Sequence, residues 1–422
     1  MPNGRLVSTF ALVILLVSIA LAIPAWSAES VLYPFGGSNG AFPYSGVIND
    51  SSGNLFGTTA DGGVFAAGNV FELAYNGTTY TETTLYSFTG GSDGGYPTDA
   101  LIMDAAGNLY GTTYFGGTGN CFGTNSGCGV VFELVKSSGY AEIVLYRFLG
   151  GIDGGAPFAS LASDGSGNLY GTTTCGGSTV CINGTGNGVV FELVKSSGYS
   201  YVILHTFSGS TTDGANPSAP VILDASGNLY GTTELGGLST CPSGCGVIFK
   251  LTKSTGYSET LLYSFTGGTH DGGQPLAPVT TDTSGNLYGT TTCGGSASCS
   301  GGNGVIYELS ASGSFILLHA FSSTGKDGIG PRAGLTFDPA FSTLYGTAYS
   351  GGARNFGTAF RLSKSGASFT VLYSFKGGSD GAYPRSPLDF AAKGRCTSRC
   401  GIGTTLEGGP ANEGIVFLLT SI

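Results

Sequence analysis

Short apolar runs, broken at regular intervals by glycine, organise this chain. The clearest is D-A-S-G-N-L-Y-G-T-T at 224–233, which returns at 104–113, 164–173 and 282–291. Weaker copies stand at 50–59 (LFGTT) and 338–348 (LYGTA), and a damaged one at 400–405 (CGIGTT). The Leu of the motif, replaced by Ile402 in the last copy, falls at 55, 109, 169, 229, 287, 344 and 402, a spacing of 54 to 60 residues. Self-similarity at a fixed period decides the architecture before any single residue does. Each period predicts four short strands. Around the fourth copy, strand A is 217–224 (PSAPVILD), and D-x-x-G-N makes a tight turn of residues that tolerate positive φ. Strand B is 228–233 (NLYGTT), strand C is 246–251 (GVIFKL) and strand D is 259–265 (ETLLYSF). A Gly-rich connection, 267–275 (GGTHDGGQP), leads to the next strand A.

Strand C recurs as VFEL at 70, 131 and 190, then as IFKL, IYEL, AFRL and VFLL; strand D recurs as LYPF, LYSF, LYRF, LHTF, LYSF, LHAF and LYSF. Four-stranded units that are apolar on both faces cannot hide their surfaces alone. Stacked radially they bury both faces, which is a β-propeller. A parallel β-helix has coils much shorter than this period. A lone D-type strand at 31–35 precedes the first blade, and a C-type strand at 415–419 ends the seventh. The fold class is therefore all-β, a seven-bladed propeller with four antiparallel strands per blade. Pairing of 32–35 with 416–419 is expected to complete the last blade and remove two sheet edges.

Composition narrows the class further. The chain has 422 residues, 76 of them Gly, and only 10% are charged. Its net charge is −10 and no Lys/Arg cluster is present, which argues against nucleic-acid partners, whose phosphates demand a basic stripe. At the amino terminus Arg5 precedes an apolar run, 6–23, then Pro24 and the small-residue segment A-W-S-A. This reads as a secretory signal peptide over 1–28, cleaved after Ser27 or Ala28, with an uncleaved anchor as the alternative. One domain, 29–422, follows. Ten cysteines fall into five close pairs: Cys121/Cys128, Cys175/Cys181, Cys241/Cys245, Cys293/Cys299 and Cys396/Cys400. Near-neighbour pairs are the pattern of local disulfides in an oxidising compartment, and the pairs lie too far apart in sequence to suggest a four-ligand zinc site. A secreted, periplasmic or cell-surface location is expected.

The unit GNLYGTT…GG…GVVFEL…LYSF-x-G-G-x-D-G-G-x-P resembles the GloVer tandem repeat of exported bacterial proteins, in which similar arrays are joined to different surface anchors. The likeness covers essentially the whole chain after the leader. It implies an exported bacterial repeat protein and brings no established activity or catalytic residue to carry over. Unlike many relatives, the chain is expected to carry no C-terminal anchor. It departs from the pattern in blade 7, where 393–400 (KGRCTSRC) replaces the usual turn and puts strand B in doubt.

A four-stranded meander places the A–B and C–D turns on one face and the B–C and D–A connections on the other. The B–C loops vary most, so the second face is the candidate for function. The acids of the D–A connections, Asp93, Asp153, Asp213, Asp271, Asp327 and Asp380, with Asn39 in the same place, supply one carboxylate per loop. Calcium wants several, so these read as turn-stabilising residues and no metal or cofactor is expected. His205 and His319 replace the Tyr of strand D and read as structural, and His270 as solvated. No GxSxG, HExxH or P-loop motif is present. The functional class is thus a non-catalytic binding or surface-interaction scaffold, its partner a carbohydrate or a surface protein. The alternative is an extracellular polysaccharide hydrolase or lyase with its site in the central depression, for which Glu234 and Glu407 are the individual acids to consider. The residue after each D–A proline is expected to open the innermost strand near the channel: Tyr44, Thr98, Phe158, Ser218, Leu276, Arg332 and Arg385. Two arginines in adjacent blades could hold a carboxylate through paired hydrogen bonds, with Tyr44 as a stacking face. Alternatively they pair with Asp327 and Asp380 in their own loops.

Overall fold

The computed structural model describes residues 28–422 apart from 124, 125, 183, 185, 239, 391–398 and 421. The apolar leader and Cys396 lie outside the described residues. No described helix is long and apolar enough to cross a membrane. Seven antiparallel sheets are arranged as the blades of a propeller, each ordered A-B-C-D. In blade 4 the strands are Ile222–Leu223, Leu229–Thr233, Val247–Thr252 and Ser258–Ser264.

The turn between strands A and B is held as its composition requires. Asp224 accepts hydrogen bonds from the backbone N–H of Ser226 (2.9 Å) and Asn228 (3.0 Å), from the Asn228 side chain (2.8 Å) and from the Tyr230 hydroxyl (3.2 Å). The Asn228 side-chain Oδ1 then accepts from the Lys253 N–H at 3.0 Å, tying this turn to the C–D turn on the same face. Repeated side-chain acceptance of this kind holds Asp164 and Asp224 below the usual carboxylate range against the opposing effect of burial.

The G-T-T of strand B explains the packing. Gly231 lies flat beneath Phe249 of strand C, and a Cβ there would sit 2.5 Å from the ring. The first Thr reaches across to the next blade. Thr58, Thr112, Thr172, Thr232, Thr290, Thr347 and Thr404 donate to the carbonyls of Asp99, Ala159, Ala219, Ala277, Ala333, Ser386 and Ser45, over 2.6–3.5 Å. The last of these joins blade 7 to blade 1. Strand A forms only two paired residues per blade, shorter than the pattern predicts.

The ring is closed by the amino-terminal strand. Ala28–Pro34 pairs antiparallel with Ile415–Thr420, from Ala28 opposite Thr420 to Pro34 opposite Ile415. The pairing begins four residues earlier than the expected 32–35, and the register shifts between Val31 and Tyr33. The same shift recurs in strand D of the other blades, for example between Leu261 and Tyr263, so Leu32 lies at a bulge and the Phe35 N–H continues the contact, to the Gly414 carbonyl at 3.0 Å. Strand B of blade 7 corrects the sequence reading: Cys400–Glu407 is a full strand paired with Ile415–Thr420. Losing the Asp-Gly-Asn turn does not abolish it, because Gly403 still clears Phe417 and Thr404 still reaches Ser45.

Four disulfides bridge within their own pairs, Cys121–Cys128, Cys175–Cys181, Cys241–Cys245 and Cys293–Cys299. Cys400 is also disulfide-bonded. Several local covalent bridges fit an extracellular or periplasmic protein.

At the outer rim, the strand D residue that pairs with the Leu of the strand C motif packs, in three blades, on the Tyr or His of the preceding blade. Tyr201 stacks on Tyr146 at 4.1 Å, Phe315 on Tyr263 at 4.4 Å and Phe369 on His319 at 3.8 Å. Register places Glu29, Glu82, Glu142 and Glu259 at the same position in the other four blades.

Candidate ligand-binding site

Each D–A connection bends toward the axis by one device. The residue before its proline is left-handed: Phe42, Tyr96, Ala156, Asn216, Gln274, Gly330 and Tyr383 have φ of 54–60°. For the non-glycine members this conformation is uncommon and stores strain. It is held by the N–H of each such residue, which donates to a carbonyl of the preceding blade's B–C loop, as Asn216 to Asn187 and Gln274 to Cys245, both at 2.8 Å. Proline then fixes the next turn, and the following side chain faces the channel. Tyr44, Thr98, Phe158, Ser218, Leu276, Arg332 and Arg385 all line one cavity of about 400 Å³. Residues that open the B–C loops, Tyr114, Thr174 and Glu234, complete its wall, so the cavity belongs to the face carrying the B–C and D–A connections.

The D–A acids stay in their own turns. Asp271 accepts from the Thr266 N–H (2.7 Å) and the Tyr263 hydroxyl (3.1 Å). Asp327 is taken by His319 and the Ser322 N–H, at 3.0 Å each. Asp380 accepts from the Lys376 N–H at 2.7 Å and from the Tyr373 hydroxyl. With their carboxylates occupied, neither Asp327 nor Asp380 pairs with Arg332 or Arg385. Instead the Arg332 guanidinium lies over Tyr349 at 4.4 Å, and that of Arg385 over Tyr44 at 4.7 Å and Tyr349 at 5.7 Å. Among the described residues neither arginine forms an ion pair, and the buried Nε of Arg332 has no hydrogen-bond acceptor. Burial and the charge of Arg332 both push the pKa of Arg385 down.

From Tyr44 an arc of rings runs round the rim. Tyr44 meets Tyr96 at 5.9 Å, Tyr96 meets Phe115 at 5.5 Å, Phe115 meets Phe122 at 4.7 Å, Phe122 meets Tyr114 at 5.0 Å, and Tyr114 meets Phe158 at 5.7 Å. Tyr96, Phe115, Phe122 and Tyr349 escaped the sequence reading. The visible signals were the aromatic in G-G-Y-P and the Y-F that follows GTT in blade 2.

Two acids face the cavity. Asp99 is raised to about 6 by burial, despite hydrogen bonds from the Ala100 and Ser160 N–H groups, both at 2.7 Å. Glu234 is also raised by burial, with Arg332 pulling the other way. Glu407 does not line the cavity, so the two acids singled out in the sequence are not brought together.

The sequence profile of the Gloeobacter/Verrucomicrobia repeat matches residues 22–185 and 179–417. The chain belongs to that family. Comparison with curated proteins returns no match. Among solved structures, this Gloeobacter/Verrucomicrobia repeat protein is similar to an oligogalacturonate lyase in complex with manganese, at 11% identity over 94% of each chain, with a TM-score of 0.56. A nidogen/laminin complex aligns at 17% identity over 66% of this chain and 87% of that one (TM-score 0.39). A protein of unknown function from Bacteroides thetaiotaomicron aligns at 14% over 79% and 75% (TM-score 0.45). At such identities the first likeness shows the fold alone, and the other two carry no argument.

Proposed function

We propose that the protein is an exported, non-catalytic binding scaffold that takes a carbohydrate at the mouth of its central cavity. One observation carries this reading: seven positions that are equivalent in the fold hold six kinds of side chain, and all seven converge on one cavity beside an unbroken aromatic arc. Sugar rings present apolar C–H faces that stack on such rings, while pyranose hydroxyls suit the intervening Thr and Ser groups. The local disulfides support an oxidising, extracytoplasmic setting, and those of blades 2 to 5 brace the loops of this same face.

Hydrolysis through an acid and base would need two carboxyl groups flanking one bond. Glu234 and Asp99 line the cavity, but Asp99 is already held by two backbone amides. The binding reading is therefore preferred over a hydrolase. A glycan-array screen run beside a panel of polysaccharide digestions tests it. Saturable binding without new reducing ends or unsaturated products is the expected result. Turnover of any polysaccharide that is lost in Glu234→Gln would replace the scaffold reading with the enzymatic one.

A further inference from the structure

We infer that the saccharide is an acidic one, with Arg332 and Arg385 forming its carboxylate subsite. This rests on the binding reading above. The argument begins with an electrostatic anomaly. In a chain of net charge −10 with only 16 cations, two guanidinium groups from adjacent blades face one cavity, close enough for one to depress the ionisation of the other. Like charges held together and partly desolvated are unfavourable unless something compensates them. The acids of the arginines' own D–A connections, Asp327 and Asp380, are engaged elsewhere. The two acids of the wall, Asp99 and Glu234, feel the charges of Arg385 and Arg332 respectively, but among the described residues neither forms an ion pair with them.

Geometry points the same way. Tyr349 and Tyr44 carry the two guanidinium planes on their faces, at 4.4 and 4.7 Å, which fixes the planes and leaves edge donors free. The Arg332 Nε is buried without an acceptor, and a buried donor left unmade is costly. A carboxylate entering between the two arginines would supply acceptors to both, through the paired hydrogen bonds that guanidinium makes best. Tyr44 borders both the arginine pair and the aromatic arc. One ligand can therefore place its carboxylate on the arginines and its next ring along Tyr44 and Tyr96. A uronic-acid oligosaccharide has that combination of charge and stacking face; a free inorganic anion has only the first.

Isothermal titration calorimetry of the folded protein with a galacturonate trimer, a galactose trimer and sodium sulfate tests the inference. The acidic trimer should bind roughly tenfold or more tightly than the neutral one, a difference of about 1.4 kcal/mol. Arg332→Gln/Arg385→Gln should abolish that preference, bringing the affinity for the acidic trimer down to that for the neutral one. Arg385→Lys, which keeps the charge and loses the fork, should weaken the acidic trimer severalfold and guards against misfolding of the double variant. Equal affinity for the two trimers, or a preference that survives in the double variant, overturns the carboxylate subsite and leaves the scaffold reading standing. Sulfate binding as tightly as the acidic trimer overturns the saccharide assignment. Failure of both trimers to bind overturns the inference, and only a silent glycan array would then remove the scaffold reading as well.

Discussion

Raising the pH from 5 to 8 should destabilise this propeller through three glutamates at its outer rim. Glu29, Glu142 and Glu259 each have a buried carboxyl oxygen without a hydrogen-bond partner, and each is raised to about 7, chiefly by burial. Their surroundings differ in detail. Glu29 faces Asp380 and Lys376, Glu142 faces Asp93 and Arg147, and Glu259 faces His205 at 3.8 Å together with Asp213. A folded-state pKa above the unfolded 4.5 means the native state holds more protons between the two values. Stability is therefore fullest below about 4.5 and falls as pH rises through 7. The full shift would correspond to about 3.4 kcal/mol per group. These carboxyls are only partly buried, and solvent screening reduces the figure to about 1 kcal/mol each. Summed, about 3 kcal/mol should lower Tm by roughly 3–6 °C in a domain this large. Thermal melts followed by circular dichroism at several pH values between 4.5 and 8 would measure it, for wild type and for Glu29→Gln/Glu142→Gln/Glu259→Gln. Gln cannot ionise, so the variant should lose most of the slope. A wild type equally stable at pH 5 and 8, or a variant with an undiminished slope, would refute the reasoning.

Thr232→Val should cost about 1–3 kcal/mol in urea unfolding, because the Ala277 carbonyl loses its 3.0 Å partner inside the ring; a change within error would show the latch to be dispensable. Gly231→Ala should cost about 1–3 kcal/mol by driving a methyl into Phe249, and a melt equal to wild type would contradict the packing account. Deleting residues 28–36 should unpair Ile415–Thr420, lower Tm markedly and promote association in gel filtration; an unchanged melt with a monomeric profile would count against closure by this strand. Non-reducing peptide maps should link Cys121 to Cys128 and Cys241 to Cys245 within their pairs, and reduction should loosen these loops by no more than about 2–3 kcal/mol per bridge. Any cross-link between pairs would defeat that assignment.

The sequence made the blade count, the closing strand and the role of the turn acids legible, since each depends on a local pattern repeated at a fixed period. It also placed the cavity lining, because a proline in every D–A connection marks the residue that follows it. What it obscured is settled by contacts between blades. Whether Arg332 turned back to Asp327 depended on His319 and the Ser322 N–H having claimed that carboxylate first. The aromatic arc joins Tyr96 of one connection to Phe115 and Phe122 of the next B–C loop, a neighbourhood that no spacing rule encodes. Strand B of blade 7 looked doubtful because its turn motif was missing, yet its stability comes from the strand it pairs with and from Ser45 across the closure.

The closing strand also imposes an order of events on folding. Ala28 and Thr420 meet across 392 residues of chain, and bringing such ends together costs on the order of 5 kcal/mol in loop entropy if nothing between them is ordered. Once six blades have stacked, the intervening chain is already compact and most of that entropy has been surrendered to local hairpins. A segment that precedes every blade in the chain is thus the last to find its partner, and until then two sheet edges stand open. Refolding should accordingly show early formation of hairpin structure and a late, slower phase of edge protection, seen as delayed loss of amide exchange in Ala28–Pro34 and Ile415–Thr420.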